Sequence, residues 1–583
     1  MNVHVAQTGR QAAARRSEAL APTCRGSNFY DIDRSLRSIL PLYMDGALLD
    51  HLRPHLGELG ELGGGRLHDL SAQAERHDPV LHARDGYGRD DEWIEYHPAY
   101  REMEQIAFGR FGMHAMSHRA GVMGWPAPMP PVAKYVFHYM FAQSEFGLLC
   151  PVNLTDSSSE LVRRFGTAEL RERYLDRMWS QDTGTLLKCA QFMTEKSGGS
   201  DVGAAELTAV RDGDAWRLYG EKWFCSNADA ELAVLLARPE GAAAGGRGLG
   251  LFLMPKTLAD GTRNSYRILR LKDKLGSRTM ASGEIAFEGA VAYQLGELDQ
   301  GLKHMLVMVN SSRVSHLARA AGMMRRCLNE ALVASRHRNA FGRAVIDHPL
   351  MRRQLVKLMV PTEQALSALL YSATADEKVL RLLTPIVKYR ACRDNVTVAT
   401  GAMEARGGNG YIEDWPNARL VRDAHLGLIW EGTSNINALD AVQRAVGKAR
   451  AHEALRDDAN RRLENEPGLP GQFRTRLALA MAEATRFAEQ VAAAPEYERY
   501  CRVAAGKLYH ATTAALLAAE GARLGKAGGD ARRLLLARFV LEHRLEDRQS
   551  AGFESQRWED EAIDLLLADD PVPMAKATSL AQG

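Results

Sequence analysis

The chain has 583 residues, with 74 Lys and Arg against 72 Asp and Glu and a formal net charge of +2. Its 46% hydrophobic and 25% charged content is ordinary for a globular protein, which excludes wholesale disorder, and the balanced charge excludes a protein that is basic throughout. At roughly 150 residues per domain, the length predicts about four structural units.

The first 29 residues are rich in Ala and Arg but contain no apolar core typical of a signal peptide. We therefore expect a mobile leader over 1–29, and a targeting peptide is the alternative interpretation. No stretch of 18 apolar residues follows, so the sequence predicts no membrane span. The seven cysteines lie far apart without a C-x-x-C pair, which predicts no disulfide framework and no metal site and favours a reducing cytoplasm.

The remaining chain divides by its hydrophobic periodicity into four segments. Apolar residues at three- and four-residue spacing predict helices before Lys188 and again after Leu302, whereas short apolar runs broken by Gly, Asp and Asn predict strands between them. We expect a mostly α, α+β protein with these boundaries: an N-terminal helical domain over 30–187, a β domain over 188–299, a helical bundle over 300–449 and an extra helical domain over 450–583.

The β domain opens with a loop of small residues, MTEKSGGSD, that begins at Met193. It contains Thr194, Gly199 and Ser200, whose backbone N–H groups and hydroxyls can approach a flat heterocycle or a phosphate. An ordinary connection between two elements is the alternative.

A second motif lies on the strand-like segment EKWFCSN. Phe224 and Ser226 are separated by one residue, so both side chains point to the same face of a strand. The aromatic ring could cover a planar ligand while the hydroxyl binds its edge. The alternative is that Phe224 fills the core of the β domain.

Two further motifs lie in the predicted bundle. Arg338 in RNAFG, followed by Phe341, could bind phosphates, although a cation at a helix C-terminus is a common structural feature. Glu431 in IWEGTSN lies between apolar residues and a turn, where burial raises a carboxyl pKa towards that of a general base. A helix-capping acid is the alternative for Glu431.

Together, and in this order, these segments and the GGNGY motif at Gly407 and Gly408 resemble the acyl-CoA dehydrogenase flavoprotein family over roughly residues 90–449. Lys196, Phe224, the segments LKDKLGSRTMAS and HPLMR, and the long C-terminal extension further resemble the AidB branch, flavoproteins linked to the alkylation response that can bind DNA.

The resemblance implies a homotetramer in which each subunit has a helical N-domain, a middle β-barrel and a C-terminal helical bundle, with FAD as cofactor. The positions that match the family's FAD-binding residues are Met193, Thr194, Gly199, Ser200, Phe224, Ser226, Arg338, Phe341, Gly407, Gly408, Gly432, Thr433 and Asn435.

The resemblance also implies the reaction. Glu431 matches the catalytic base, which removes the α-proton of an acyl-CoA thioester while the β-hydride passes to flavin N5, and an electron-transfer flavoprotein is the implied electron acceptor. Several positions depart from the family, among them Phe224, which stands where most members have a Trp that stacks on the flavin. Glu404 would put a negative charge near the FAD phosphates, and Arg406 could offset it.

The alternative function is an AidB-like flavoprotein that binds double-stranded DNA and retains only residual dehydrogenase activity. Residues 499–548 contain ten Lys and Arg against five Asp and Glu, and residues 551–570 carry a net charge of −6. The basic segment could bind phosphates, which would make binding fall steeply with salt. A solvated helical face is the other interpretation.

Overall fold

The computed structural model describes residues 20–546 and 557–582. The N-terminal domain is mostly helical, as predicted. It also carries one exposed hairpin that the periodicity did not reveal, because in its second strand only the two residues on either side of Trp93 are buried. Its helices are α1 (Arg34–Ile39), α2 (Gly46–Gly64), α3 (Arg66–Ala74), α4 (Pro98–Glu104), α5 (Pro131–Ala142), α6 (Leu149–Phe165) and α7 (Ala168–Met178), and its hairpin pairs β1 (Val80–Arg84) with β2 (Asp90–Glu95).

The mobile leader was predicted to extend to residue 29. Its first 19 residues lie outside the described part of the chain, but residues 20–29 are packed against the protein. Cys24 and Phe29 are buried, and the Gly26 N–H donates to the carbonyl of Gly64 at 2.8 Å. The predicted boundary is therefore wrong for this part, because apolar side chains spaced through it reach the core.

The β domain is a closed barrel. Its strands are β3 (Cys189–Phe192), β4 (Thr208–Asp212), β5 (Ala215–Ser226), β6 (Leu232–Pro239), β7 (Gly250–Pro255), β8 (Tyr266–Leu271) and β9 (Ser282–Gln294). Pairing runs from β6 through β4, β5, β9 and β7 back to β6, which closes the ring, while β3 extends from β6 and β8 from β9. Closure leaves few free strand edges.

The bundle is built around one long helix, α8 (Gly301–His337), which packs against α5 and α6 of the N-terminal domain as well as against its own neighbours. These are α9 (Pro349–Ser372), α10 (Glu377–Arg406), α11 (Asn417–Leu426) and α12 (Ser434–Leu439), with a short hairpin of β10 (Asn339–Ala340) and β11 (Arg343–Ala344) after α8. Because α8 is surrounded on most sides, its middle turns are buried all round.

The extra domain packs on the bundle through α15 (Cys501–Lys526), which contacts α9 and α10. Its other helices are α13 (Ala451–Glu464), α14 (Gly471–Ala493), α16 (Arg532–Val540), α17 (Arg557–Leu567) and α18 (Met574–Gln582). In the described ranges, no helix is long and apolar enough to cross a membrane.

The predicted basic segment of this domain is only partly a surface. Arg532, Arg533 and Arg538 are buried, and they pair with Asp530, with Glu363 and Glu520, and with Glu542, respectively. Their charges are neutralised inside the protein because a buried guanidinium requires a partner. Because Asp530, Glu520 and Glu542 belong to the same segment, these pairs leave the count of +5 over 499–548 unchanged, but they reduce the number of cations that a phosphate backbone could meet by three.

Candidate functional site

Glu431 lies in a turn whose backbone is held in an unusual conformation. Its φ is +53° and that of Gly432 is +92°, a region that favours glycine. The turn is fixed by Asn437, whose side-chain amide donates to the carbonyls of Gly432 at 2.7 Å and Thr433 at 3.0 Å. Thr433 caps α12 by accepting from the Ile436 N–H, so the capping alternative for Glu431 is wrong.

The Glu431 side chain is half-buried among cationic groups. Burial is the largest influence and raises the pKa of its carboxyl, while Arg313, Lys388, Arg319 and a hydrogen bond with Ser312 act in the opposite direction. Two of these cations also hold the backbone, since Lys388 Nζ donates to the Gly432 carbonyl at 2.5 Å and Arg313 Nε donates to the Glu431 carbonyl at 3.3 Å. The carboxyl thus combines a raised pKa with a fixed position.

Ser226, at the end of β5, lies close to Glu431 although 205 positions separate them in the sequence. Both influence the pKa of the buried Cys150 thiol on α6. Burial, and to a smaller extent the Glu431 charge, raise the pKa of this thiol to about 11. Arg319, Lys274 and a hydrogen bond with Ser226 act in the opposite direction. The barrel and the bundle therefore meet at this thiol, with one predicted site residue on each side.

Phe224 is not part of the barrel core. Its ring is 53% exposed, with Lys272 Nζ 4.9 Å from the ring centroid, so the core-filling alternative is wrong. The loop that starts at Met193 lies directly beside it, because the neighbouring Trp223 N–H donates to the Thr194 carbonyl at 2.8 Å. An exposed aromatic face and a small-residue loop thus share one side of the barrel.

The conformation of this loop is fixed from inside by Glu195, a residue that the sequence analysis did not single out. Its carboxylate forms an ion pair with the buried Lys222 at 2.6 Å and accepts from the Glu206 N–H at 2.6 Å. At Gly199 a Cβ would lie 2.6 Å from Thr194 Oγ1, so only glycine fits. Ser200 is exposed and Met193 is half-buried.

Arg338 and the Gly407–Gly408 turn form a second part of the site. α8 ends at Arg338 and α10 ends at Gly407, and Arg338 Nη1 donates to the Ala405 carbonyl at 3.4 Å. Gly407 has a φ of +76°, and a Cβ there would lie 2.7 Å from Arg338 Nη1. Among the residues that the structure describes, no carboxylate pairs with Arg338, so its exposed charge is available to an anion.

The other predicted binding residues are accessible. Phe341 follows in the same hairpin and is 98% exposed, with a φ of +51°. Gly408 and Asn435 are also exposed, and Gly408 has open space where a Cβ would be. Their side chains contribute little to the core of a single subunit.

Arg406 does not offset the charge of Glu404. Its guanidinium is buried and forms an ion pair with Glu330 at 2.5 Å, and it also donates to Asn417 Oδ1 at 3.0 Å. Glu404 is exposed and accepts only from Gln354 Nε2, at 3.3 Å, among the described contacts. This expectation was wrong because α10 turns the two side chains in opposite directions.

The sequence analysis also missed a line of polar residues inside α8, here called the polar stripe: Ser312, Ser315, His316 and Arg319. All four are buried, and their spacing of three, four and seven residues puts them on one face of the helix. The signal was present as polar residues that recur on one face of the helix, but the prediction from periodicity followed only the apolar positions.

Comparisons with known proteins match this architecture domain by domain. Family models match in three consecutive ranges: the adaptive response protein AidB N-terminal domain over residues 20–183, the acyl-CoA dehydrogenase middle domain over 190–290 and the acyl-CoA dehydrogenase C-terminal domain over 299–447.

Relatives cover most of the chain. Acyl-CoA dehydrogenase family member 11 of Caenorhabditis elegans is 31% identical over 440 residues, which are 72% of this chain and 70% of that protein. Putative acyl-CoA dehydrogenase AidB of Escherichia coli K12 is 31% identical over 424 residues, 69% of this chain and 75% of that protein. The crystal structure of C. elegans ACDH-11 in complex with C11-CoA has a TM-score of 0.83 at 26% identity and covers 93% of this chain and 95% of its own.

Proposed function

The chain belongs to the acyl-CoA dehydrogenase family and has an AidB-type N-terminal domain, and from this premise we propose that it oxidises acyl-CoA thioesters with Glu431 as the catalytic base. The observation that supports this role is the position of the Glu431 carboxyl, which has a raised pKa, a fixed backbone and a place at the junction of barrel and bundle. A C. elegans relative that was solved with C11-CoA supports a CoA thioester as the substrate class.

Glu431 supplies the proton transfer. Its carboxylate removes the weakly acidic α-proton of the thioester, and a raised pKa makes it a stronger base than an exposed glutamate. The developing negative charge on the thioester oxygen needs a hydrogen-bond donor. The Glu431 N–H donates to no acceptor within the described residues, which leaves it free for this purpose.

The residues present fit FAD as the cofactor. Arg338 lacks a carboxylate partner in the described chain and faces a glycine turn that a Cβ would fill, as an incoming pyrophosphate requires. Phe224 offers an exposed ring, and Ser226 lies on the side of β5 that faces Cys150 and Glu431. When bound, FAD supplies a two-electron acceptor for the β-hydride of the substrate. Thr194, Ser200, Phe341, Gly432, Thr433 and Asn435 complete the proposed set.

The test is an anaerobic titration of the purified holoenzyme with a panel of acyl-CoA thioesters, with flavin absorbance as the readout. We expect at least one thioester to bleach the flavin and the Glu431→Gln variant to slow this bleaching by about 10²–10⁴-fold, the usual contribution of a general base. The matched control is Glu172→Gln, an exposed glutamate on α7 that forms no ion pair or side-chain hydrogen bond within the described residues. Bleaching by Glu431→Gln at the wild-type rate would contradict the assignment.

We further propose a homotetramer that passes its electrons to an electron-transfer flavoprotein, as the family implies. Support for assembly comes from large apolar side chains of the bundle that a single subunit leaves exposed: Phe341 at 98%, Leu350 at 84% and Tyr411 at 78%. Another subunit that covers these side chains would remove them from water.

The DNA-binding alternative has a weaker basis than the sequence suggested. The AidB-type N-terminal domain supports the branch, but three of the ten cations in the basic segment are buried in ion pairs. Among the described residues of this segment, the cations that remain exposed are Arg499, Arg502, Arg523, Lys526 and Arg544. Dehydrogenation is therefore the function that the site supports better.

A further inference from the structure

Arg319 differs from the other fully buried arginines of the bundle. Arg325 and Arg326 on the same helix pair with Glu363 at 2.5 Å and Glu330 at 2.9 Å. Arg319 is equally buried, with 1% of its surface exposed, yet no carboxylate within the described residues lies at ion-pair distance from it. An unpaired buried cation is costly, so its retention calls for a partner that is not part of the folded chain.

Counting hydrogen bonds leads to the same conclusion. A guanidinium has five N–H groups, but Arg319 donates only from Nε to the Ser315 carbonyl at 3.4 Å, and Nη2 lies 3.2 Å from His316 Nδ1. His316 Nδ1 also lies 2.8 Å from the Ser312 carbonyl, and it cannot donate there and accept from Arg319 at once. Nη1 has no partner at all. At least three N–H groups of Arg319 are therefore unsatisfied.

The position of Arg319 relates these donors to the reaction site. Its guanidinium lies 5.4 Å from the Phe146 ring and 5.6 Å from the ring of Trp430, the residue that immediately precedes Glu431. The polar stripe runs from Ser312, which acts on the Glu431 carboxyl and lowers its pKa, to Arg319 two turns later, a rise of about 10 Å along the helix. An acyl chain that presents its α-carbon to Glu431 can thus direct its far end towards Arg319.

We propose that Arg319 binds a carboxylate at the end of the acyl chain, so that the substrates are CoA thioesters of dicarboxylic acids. This inference depends on the proposed dehydrogenase function and specifies its substrate class. A carboxylate matches the fork of a guanidinium with two parallel hydrogen bonds. It also supplies acceptors for the Arg319 N–H groups that have no partner within the described chain, whereas an alkyl chain would leave these donors unsatisfied.

The experiment compares thioesters of equal carbon number on the holoenzyme: glutaryl- with pentanoyl-CoA, adipyl- with hexanoyl-CoA and suberyl- with octanoyl-CoA. We expect kcat/KM for flavin reduction to be about 10- to 100-fold higher for the dicarboxylic member of at least one pair. Arg319→Met should remove that preference by lowering the dicarboxylic value far more than the other. Arg319→Lys should restore part of it, and Arg486→Met, an exposed arginine on α14, serves as the matched control.

A second readout measures binding without turnover. In the Glu431→Gln background, adipyl-CoA affinity from calorimetry should fall about 10- to 100-fold on adding Arg319→Met, and hexanoyl-CoA affinity should change much less. Equal loss for both thioesters would mean that Arg319 supports the fold or Glu431, and would overturn the inference. Faster flavin bleaching by the alkyl member of every pair would overturn the inference about Arg319 but would leave the proposed dehydrogenase function intact. No bleaching by any thioester would overturn the proposed function as well.

Discussion

At the scale of single residues, burial and three cations have opposite effects on the pKa of the Glu431 carboxyl. Burial favours the protonated form and is the larger influence, while Arg313, Lys388 and Arg319 favour the carboxylate. Burial also lowers the pKa of Lys388 itself, to about 8. The proposed base is therefore stronger than an exposed glutamate, while the three cations limit the rise of its pKa.

The first prediction concerns the pH dependence of flavin reduction. A general base acts only when deprotonated, so the rate in single turnover should fall on the acidic side, with a midpoint above the usual glutamate value of about 4.3. Lys388→Met should move this midpoint to higher pH, because it removes a charge that favours the carboxylate. Lys388→Arg, which keeps the charge, is the control. A rate that does not fall on the acidic side, or a midpoint that is the same in wild type and Lys388→Met, would count against Glu431 as the base.

At this scale the sequence could predict those residues that belong to a recognisable motif. Glu431, Ser226 and Arg338 were recognised because each lies in a motif. Arg319 and Cys150 were not, because their importance comes from packing between α8, α6 and Trp430. The direction of the Arg406 side chain could not be predicted from the sequence either, because it depends on the buried Glu330 of another helix.

At the scale of elements, the C-terminus of α10 forms the turn that we propose as the anion-binding site. Gly407 ends the helix with a positive φ, and its missing side chain is what allows Arg338 to approach. The two glycines of this turn differ sharply: a Cβ at Gly407 would collide with Arg338, and one at Gly408 would meet nothing within 4 Å. This difference provides a matched pair of variants.

The second prediction uses this pair. Gly407→Ala should weaken FAD binding by about 10-fold or more, because the strained backbone costs about 1–3 kcal/mol and the new methyl group displaces Arg338. Gly408→Ala should have a smaller effect. The measurement is the dissociation constant of FAD from the apoprotein, followed by flavin fluorescence. Equal affinities for the two variants would show that the Arg338 approach does not contribute to cofactor binding.

The barrel shows which element-level features a sequence specifies. Short apolar runs separated by turn residues predicted strands within 188–299, and the structure has seven there. Ring closure was available only through the family resemblance, because it depends on the parallel pairing of β4 with β6, a long-range contact without a local signal. The N-terminal hairpin was missed because seven of its eleven strand residues are exposed and its apolar alternation is short.

At the scale of the whole molecule, one buried network joins three domains. Glu363 of α9 accepts from Arg325 of α8 at 2.5 Å and from Arg533 of α16 at 2.7 Å. Arg533 also pairs with Glu520 at 2.7 Å, and Tyr43 of the N-terminal domain donates to the same carboxylate at 2.6 Å. The extra domain is therefore bound to the rest by charges that water does not reach.

The network explains why the C-terminal charge could not be interpreted from the sequence. Counting charges along 499–548 treated every cation as exposed, whereas folding selects some of them as internal partners. Burial opposes ionisation of Glu363, but Arg325 and Arg533 outweigh it and hold its pKa at about 2. Because the folded pKa lies below the unfolded one, this group stabilises the fold above about pH 4.3 and loses that contribution as the pH falls towards 2.

The last prediction tests this network as the link between the domains. Arg533→Met should lower the free energy of unfolding by about 3–5 kcal/mol at neutral pH, because it leaves Glu363 with one cation fewer and Glu520 without its guanidinium partner. Arg523→Met, an exposed neighbour on α15, should change it by less than about 0.5 kcal/mol. Urea unfolding followed by circular dichroism measures both. The difference between the variants should shrink as the pH is lowered towards 2, since protonation of Glu363 weakens the interaction that Arg533→Met removes.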